Sequence, residues 1–432
     1  MNFEEVKEYL LDFQKREMPE MVERELRVDG SGRIVSIIGP RRAGKTFFMY
    51  QKMKELINSG KKKSSILYLN FEDPRLVGVS FKDIKEIVKL HWQLYPDSTN
   101  EQLYIFVDEP QNVEGWEVAV RGLHDDGFVV FLSGSSSKLL SREIATSLRG
   151  RTISYTLLPF SFREFMRMKK VSFDTSRLGS KEKALLNSLF EEYVVFGGFP
   201  EVIKAEKKEE KERVLSEYFD LVVYRDIVER YKVKNTALVK WLIKSTLSSF
   251  SKELSIHKLY LNLRSQGLSL SKNTLYSYFS MLVDSLFVFP VFRFSYSIRK
   301  RELSKAKVYA CDVGFTKLVE ISPERGRKME NIVFLELMRR KKPLEEIFYW
   351  KNPQNKEVDF VVREGSRTKK LIQVCSNISD MEVKKREVGA LIKASEELRC
   401  SDLSIITDRY TGQERVKRKK ISFVSLPEWL LS

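Results

Sequence analysis

Cysteine and histidine occur only three times each in 432 residues. Cys311, Cys375 and Cys400 stand alone, with no C-x-x-C and no ligand spacing. That excludes a disulfide framework and a zinc module, and it points to a reducing cytoplasm. No apolar run approaches the roughly 20 residues a membrane helix needs, so no membrane association is expected. The opening Met1-Asn2-Phe3-Glu4-Glu5 is acidic and polar, unlike a secretory signal. Acidic residues are in deficit: 59 Asp and Glu face 76 Lys and Arg, for a net charge of +17. A chain this basic suits an anionic partner, above all nucleic acid. A thermophile surface would raise Lys and Glu together, which does not account for the whole excess. What is present, 42% hydrophobic and 31% charged residues, is the composition of a globular protein with room for two to four domains.

One stretch organises the rest. Gly39-Pro40-Arg41-Arg42-Ala43-Gly44-Lys45-Thr46 reads G-x-x-x-x-G-K-[ST], with an apolar β-branched run before it and a helical pattern after it. Gly39 and Gly44 let backbone N–H groups curl around a phosphate, and the following helix directs its positive end at the same oxygens. Lys45 reaches the β- and γ-phosphates, and the Thr46 hydroxyl is a ligand for Mg²⁺. ATP or ADP with Mg²⁺ is the expected cofactor set.

Strands and helices then alternate, with strands at 65–71, 103–107, 128–132 and 153–157 and helices at 81–94 and 114–123. This rhythm predicts a parallel sheet wrapped by helices, with ligands at the carboxyl ends of its strands. Asp108 ends one strand and is expected to hold Mg²⁺ through water; Glu109 follows and is expected to activate the attacking water. Ser133 and Ser135 end the neighbouring strand, in reach of that water or the γ-phosphate, or form a plain turn. Arg149 and Arg151 flank Gly150 just before the last strand. They lie near the phosphate end of the sheet, and we expect one of them to act as a phosphate sensor or arginine finger, in cis or from a neighbouring molecule, against the alternative of a basic surface turn.

Phe71-Glu72-Asp73-Pro74-Arg75, Phe106-Val107-Asp108-Glu109-Pro110-Gln111-Asn112, Leu132-Ser133-Gly134-Ser135-Ser136, Leu148-Arg149-Gly150-Arg151 and Pro159-Phe160-Ser161-Phe162-Arg163-Glu164-Phe165 follow the phosphate loop in this order. The set resembles the archaeal AAA-type ATPases of the P-loop superfamily, close to the STAND class. The resemblance extends through a winged-helix region and a C-terminal nuclease-like domain of the DUF4143 type. It implies an additional-strand ATPase core with Glu109 as catalytic base and a nucleic-acid-linked or switch-like role. It also implies that Pro200, in Gly197-Gly198-Phe199-Pro200, packs against the adenine when a lid closes. A Gly-Gly-x-Pro helix terminator explains that tetrapeptide equally.

Helices are expected at 182–195, 218–231, 255–265 and 271–286, the last capped by Ser271, with a charged helix face at 206–211 and a wing at 287–294. Lys272, Asn273, Tyr276 and Ser277 on the second helix of the pair, and Arg293, Arg299, Lys300, Arg301, Lys305 and Lys307 near the wing, are candidates for phosphate contacts. A winged helix in such proteins also serves as a lid or packing module.

The final stretch looks like the PD-(D/E)xK nuclease fold, which needs strand carboxylates for Mg²⁺, a nearby lysine and often a helix glutamate. Asp359 and Glu336 fit. Gln373-Val374-Cys375 stands where Glu-x-Lys is expected, and Gln373 is a weak ligand for a hard cation. Lys384 or Lys351 is a spatial substitute to look for. A degenerate fold kept for DNA binding or regulation is therefore the expectation. Arg415-Val416-Lys417-Arg418-Lys419-Lys420 suits phosphates or a solvated turn.

The sequence thus predicts an α/β protein in four parts: a P-loop parallel-sheet ATPase core at 1–160, a helical lid at 161–232, a winged helix at 233–307 and an α/β restriction-endonuclease-like domain at 308–432. Its expected function is ATP-dependent binding of duplex or branched DNA. Four-way Holliday junctions are included by analogy with junction resolvases that share the nuclease fold. A STAND-type signalling switch acting on a protein partner and a metal-dependent nuclease are the alternatives, with either a monomer or a nucleotide-dependent assembly.

Overall fold

Short runs of β-branched and aromatic residues build the first sheet. In a computed structural model, which describes residues 2–29, 32–135, 148, 150–173, 179–319 and 324–432, these runs are β1 (Ile34–Ile38), β2 (Ile66–Asn70), β3 (Tyr104–Asp108), β4 (Val129–Gly134) and β5 (Thr152–Thr156). All pairings are parallel, in the order β2-β3-β4-β1-β5. The α/β parallel-sheet expectation holds, and β4 separates the phosphate-loop strand β1 from β3. Parallel strands are covered on both faces, which is why β1 is buried at every position and reads as a continuous apolar run.

Helix α1 (Phe3–Lys15) precedes the sheet, and α2 (Lys45–Asn58), α3 (Ile84–Leu94) and α4 (Trp116–Asp125) follow in the expected order. α1 buries Val6, Tyr9, Leu10 and Phe13, the i, i+3, i+4, i+7 face of a helix. Phe13, Val35, Ile37, Phe48, Met49, Phe106 and Phe131 share one core. Each such burial stabilises the fold by about 1.5–3 kcal/mol.

The chain divides into two compact units, Met1–Leu157 and Leu158–Ser432. The second unit begins with helices Phe162–Met168, Ser180–Phe196 and Pro200–Lys204. The charged face and the next helix, expected separately, form one run: Lys208–Leu221 passes into a π-helical segment, Val222–Glu229. No glycine or proline lies between 208 and 231 to end it. Helices Ile256–Ser265 and Lys272–Asp284 are capped by Ser255 and Ser271, whose side chains accept from the backbone N–H of Lys258 and Thr274.

Those helices pack with a three-stranded antiparallel sheet in the order β6-β8-β7, where β6 is Lys252–Leu254, β7 Val288–Val291 and β8 Ala306–Ala310. The expected boundary at residue 307 falls inside β8. Past β7 the chain runs along a third sheet: Phe294 donates its N–H to the Tyr349 carbonyl at 2.7 Å, and Tyr349 donates to the Phe292 carbonyl at 3.2 Å.

That third sheet has six strands, β9 (Glu345–Lys351), β10 (Glu357–Glu364), β11 (Arg367–Cys375), β12 (Leu403–Thr407), β13 (Gly412–Val416) and β14 (Lys419–Ser425). Their order is β13-β14-β12-β11-β10-β9, with β11, β12 and β14 parallel to one another. Helices Arg325–Arg340 and Met381–Leu398 belong to the same α/β fold. The basic run at 415–420 is the β13–β14 hairpin, with Lys417 and Arg418 at its turn in left-handed conformation (φ 48° and 63°). Among the described residues no helix is long and apolar enough to cross a membrane.

Candidate functional site

The phosphate loop is shaped by its glycines. Gly44 adopts φ 92° before Lys45 opens α2, a conformation that L side chains rarely take. Gly39 has no room for a side chain: a Cβ there would lie 2.1 Å from the Leu157 carbonyl oxygen. Lys45 Nζ donates to the carbonyls of Gly39 and Pro40, at 3.1 Å each. Pro40, Arg41, Arg42 and Ala43 complete the loop; Arg42 is left-handed (φ 66°), and Arg41 pairs with Glu72 at 3.4 Å.

Register does the rest. Parallel pairing sets Asn70 beside Asp108, and Asp108 beside Ser133. Thr46 Oγ1 donates to Asp108 Oδ2 at 2.6 Å, Tyr68 donates its hydroxyl to the same oxygen at 3.1 Å, and the Ser133 hydroxyl donates to Oδ1. Asp108 is buried, and burial followed by the neighbouring Glu109 raises its pKa against the bonds from Ser133 and Thr46. Glu109 sits in left-handed backbone (φ 51°) with its N–H on the Ser133 carbonyl. Its carboxylate accepts from the Gln111 amide and, at 3.4 Å, the Ser135 hydroxyl.

The donor set fits Mg²⁺ and a nucleotide. Two oxygen ligands of the kind a hard cation takes, Thr46 and Asp108, already meet each other. The lysine that would reach phosphate oxygens rests on loop carbonyls. Arg24 is a support that the motif did not reveal: it is buried, and its guanidinium donates to the Ala43 carbonyl at 2.8 Å. Tyr68 and Gln111 were also missed. Tyr68 lies two residues before the β2 terminus, so strand periodicity places it on the same face as Asn70.

The placement expected for Arg151, at the phosphate end of the sheet, is a correction. β5 runs parallel to β1, pairing Thr152 with Ile34 and Thr156 with Ile38. The phosphate loop follows Ile38, so a residue preceding β5 lies at the opposite end of the sheet, about 15 Å away along the strands. There Arg151 pairs with Asp125, and its carbonyl accepts from the Ile34 N–H. Arg149 lies outside the described residues.

In the second unit, Pro200 opens a short helix. The glycines before it are required by packing. A Cβ at Gly197 would fall 1.6 Å from Asp312 Oδ1, and one at Gly198 would fall 2.2 Å from the Phe160 carbonyl oxygen. Asp312 accepts from the N–H of Gly198 at 2.7 Å and Gly314 at 2.8 Å, and burial pushes its pKa up to about 7.

The nuclease-like constellation assembles differently from the expectation. Glu336 does not join Asp359 and Gln373. It is fully buried among Arg163 (2.8 Å), Arg339 (3.3 Å) and Arg340 (2.7 Å). Glu330, six residues earlier and so on another face of the helix, takes that place. Lys307 Nζ binds Glu330 at 2.9 Å, Glu357 at 2.6 Å and Asp359 at 3.0 Å. Asp359 also accepts from the Val374 N–H at 2.9 Å. Gln373 accepts from the Asp359 N–H at 3.2 Å and donates to Glu387 at 2.7 Å. Tyr309, on the same face of β8 as Lys307, donates to Glu330 at 2.7 Å.

Burial alone would lower the Lys307 pKa, but Glu330, Asp359 and Tyr309 raise it well above the ordinary lysine range. Burial and then Asp359 push Glu330 up to about 7. Lys384 pairs with Glu414 instead, and Lys351 reaches only the rim, bonding Glu253 at 2.9 Å and Glu357 at 3.2 Å. Among the described residues, no three His, Cys, Asp or Glu side chains are arranged to hold a metal ion.

The expected phosphate contacts divide by exposure. Lys272, Asn273, Tyr276, Arg299, Lys300 and Lys305 are exposed. Arg293 and Arg301 are half-buried, with Arg301 stacked over Phe348 at 5.2 Å. Lys307 is a correction: it is 3% exposed and faces carboxylates.

A family model described as an AAA domain matches residues 31–166. Two models described as domains of unknown function, DUF8612 and DUF4143, match residues 187–324 and 325–429. The uncharacterized protein MJ1544 of Methanocaldococcus jannaschii is 35% identical over 406 residues, spanning 93% of this chain and 88% of that one. An uncharacterized protein of Haemophilus influenzae is 30% identical over 400 residues, spanning 91% and 93%. Among solved structures, Cdc6p from Pyrobaculum aerophilum aligns over 69% of this chain and 87% of its own at 10% identity. Its TM-score is 0.27.

Proposed function

The chain belongs to the AAA-domain family of these relatives, and from that premise we propose a Mg²⁺-dependent ATPase whose nucleotide state controls binding to duplex or branched DNA. The observation that carries the ATPase reading is the meeting of Thr46 and Asp108 at 2.6 Å beside the phosphate loop, with Glu109 next in the chain. Mg²⁺, held by Thr46 and through water by Asp108, would supply charge neutralisation at the β- and γ-phosphates. Lys45 exchanges its loop carbonyls for phosphate oxygens. Glu109 exchanges the Gln111 and Ser135 donors for the attacking water and takes its proton as the oxygen bonds to the γ-phosphorus. The bond to the leaving oxygen breaks, and ADP departs with the electron pair.

For DNA, the supporting features are the +17 charge and the exposed Lys272, Asn273, Arg299 and Lys300 on what we read as a winged helix. Pro200 packing on the adenine, in the manner of a STAND lid, is the proposed link between nucleotide and helix positions. The test is binding to four-way, forked, duplex and single-stranded DNA of equal length, at several salt concentrations, with ADP or a non-hydrolysable ATP analogue. A nucleotide-dependent preference that survives near-physiological salt is the expected result. Equal, salt-labile binding to every form, indifferent to nucleotide, would overturn the DNA reading and favour a signalling switch acting on a protein partner.

A further inference from the structure

The acidic pocket of the C-terminal fold already contains a cation. Its carboxylates come from three elements: Glu330 on a helix, and Glu357 and Asp359 on β10, with Glu387 behind Gln373. Its cation comes from a fourth, β8, which pairs with β6 and β7 in the other sheet. Among the described residues, Lys307 touches Glu330, Glu357 and Asp359 together, at 2.6–3.0 Å. These are the distances of charge-assisted hydrogen bonds. None of these residues belongs to the nucleotide site.

We propose that the Lys307 ammonium is a built-in substitute for a divalent cation, so that the pocket is a latent metal site kept closed by β8. Three observations on this chain meet there. First, the oxygen donors are hard and anionic, as Mg²⁺ or Mn²⁺ requires. Second, Lys307 Nζ lies within 2.6–3.0 Å of an oxygen of each of three carboxylates at once, the position a shared cation would take. Third, Lys307 and Tyr309 alternate on one face of β8, and both bond Glu330. With Lys307 in place the pocket neither binds a metal nor cleaves nucleic acid.

The experiment is Mn²⁺ uptake by the full-length, nucleotide-free chain, followed by the paramagnetic signal of the free ion. Wild type is expected to show no uptake that depends on Asp359. Lys307→Ala is expected to gain a single saturable site, lost again in the double variant Lys307→Ala, Asp359→Asn. Uptake by wild type that Asp359→Asn abolishes would overturn the proposal, as would a Lys307→Ala chain that takes up no more than wild type. If Lys307→Ala does not fold in EDTA, the same chain is refolded with Mn²⁺. Recovery supports substitution of the ammonium by a metal, and failure with Mn²⁺ overturns it. Lys307→Met, which keeps the side-chain length, should behave as Lys307→Ala does.

Discussion

Asp108 and Asp359 are both buried carboxylates on strands of α/β sheets, and they differ in what they bind. Asp108 is bonded by three hydroxyls, those of Thr46, Tyr68 and Ser133. Asp359 is bonded by an ammonium and a backbone N–H. Hydroxyls are neutral, and they can turn to offer lone pairs to an arriving cation. An ammonium has only donors and carries the charge that the cation would bring. The first carboxylate is thus poised for exchange and the second is committed. Two acids with similar burial are separated in role by the charge of their partners.

The largest effect is expected at the nucleotide site. Lys45→Ala and Glu109→Gln should each reduce ATP turnover by at least about a hundredfold, the scale of losing an essential catalytic group. A phosphate-release assay checks this, with circular dichroism to show the fold intact. Activity retained in both variants would displace the site.

Next in size is a stability effect in the second unit. Lys307→Met leaves buried carboxylates without their ammonium and should cost about 3–5 kcal/mol in metal-free denaturant unfolding. Asp108→Asn, which removes a charge bonded only by neutral groups, should cost less than half as much.

A pH series sharpens the contrast further. Folded Asp312 keeps its proton up to about 7, whereas an unfolded aspartate releases it near about 3.9. Between those values the folded state binds more protons, so the contribution of this group is present below the lower value and lost as pH rises through the upper one. Asp312→Asn should flatten that part of the stability profile, read from urea midpoints across the window. The smallest effect is expected at the far end of the first sheet. Arg151→Ala should leave ATP turnover within about twofold, as for a surface ion pair. A tenfold loss in the phosphate-release assay would return Arg151 to the catalytic machinery.

Contiguous chemistry was the legible part of the sequence. The phosphate loop is eight consecutive residues, and strand–helix alternation is enough to align Asp108 with Ser133 at the ends of parallel neighbours. Strand direction was available too, and it is what corrects Arg151: a residue before a parallel strand lies away from a ligand bound after it. The second acidic centre was illegible for a different reason. It depends on helix phase, which sets Glu330 rather than Glu336 toward Asp359, and on β8 carrying Lys307 in from a different sheet. Pairings of that kind leave no spacing in the chain. The one local trace is a lysine in the apolar strand Ala306-Lys307-Val308-Tyr309-Ala310, easily taken for another basic residue near the wing.

The strip Phe292–Phe294 lies along β9, at the outer edge of the six-stranded sheet. A fragment cut at residue 308, the boundary that the sequence suggests, would lose this strip and Lys307 in the same stroke. Its β9 would offer unpaired backbone groups to any neighbouring strand, and its pocket would hold carboxylates with no resident cation. Such a fragment should self-associate on expression, whereas one begun upstream of β6 keeps both the edge cover and the counter-charge. The unit of folding here is therefore larger than the unit of sequence similarity that ends the chain.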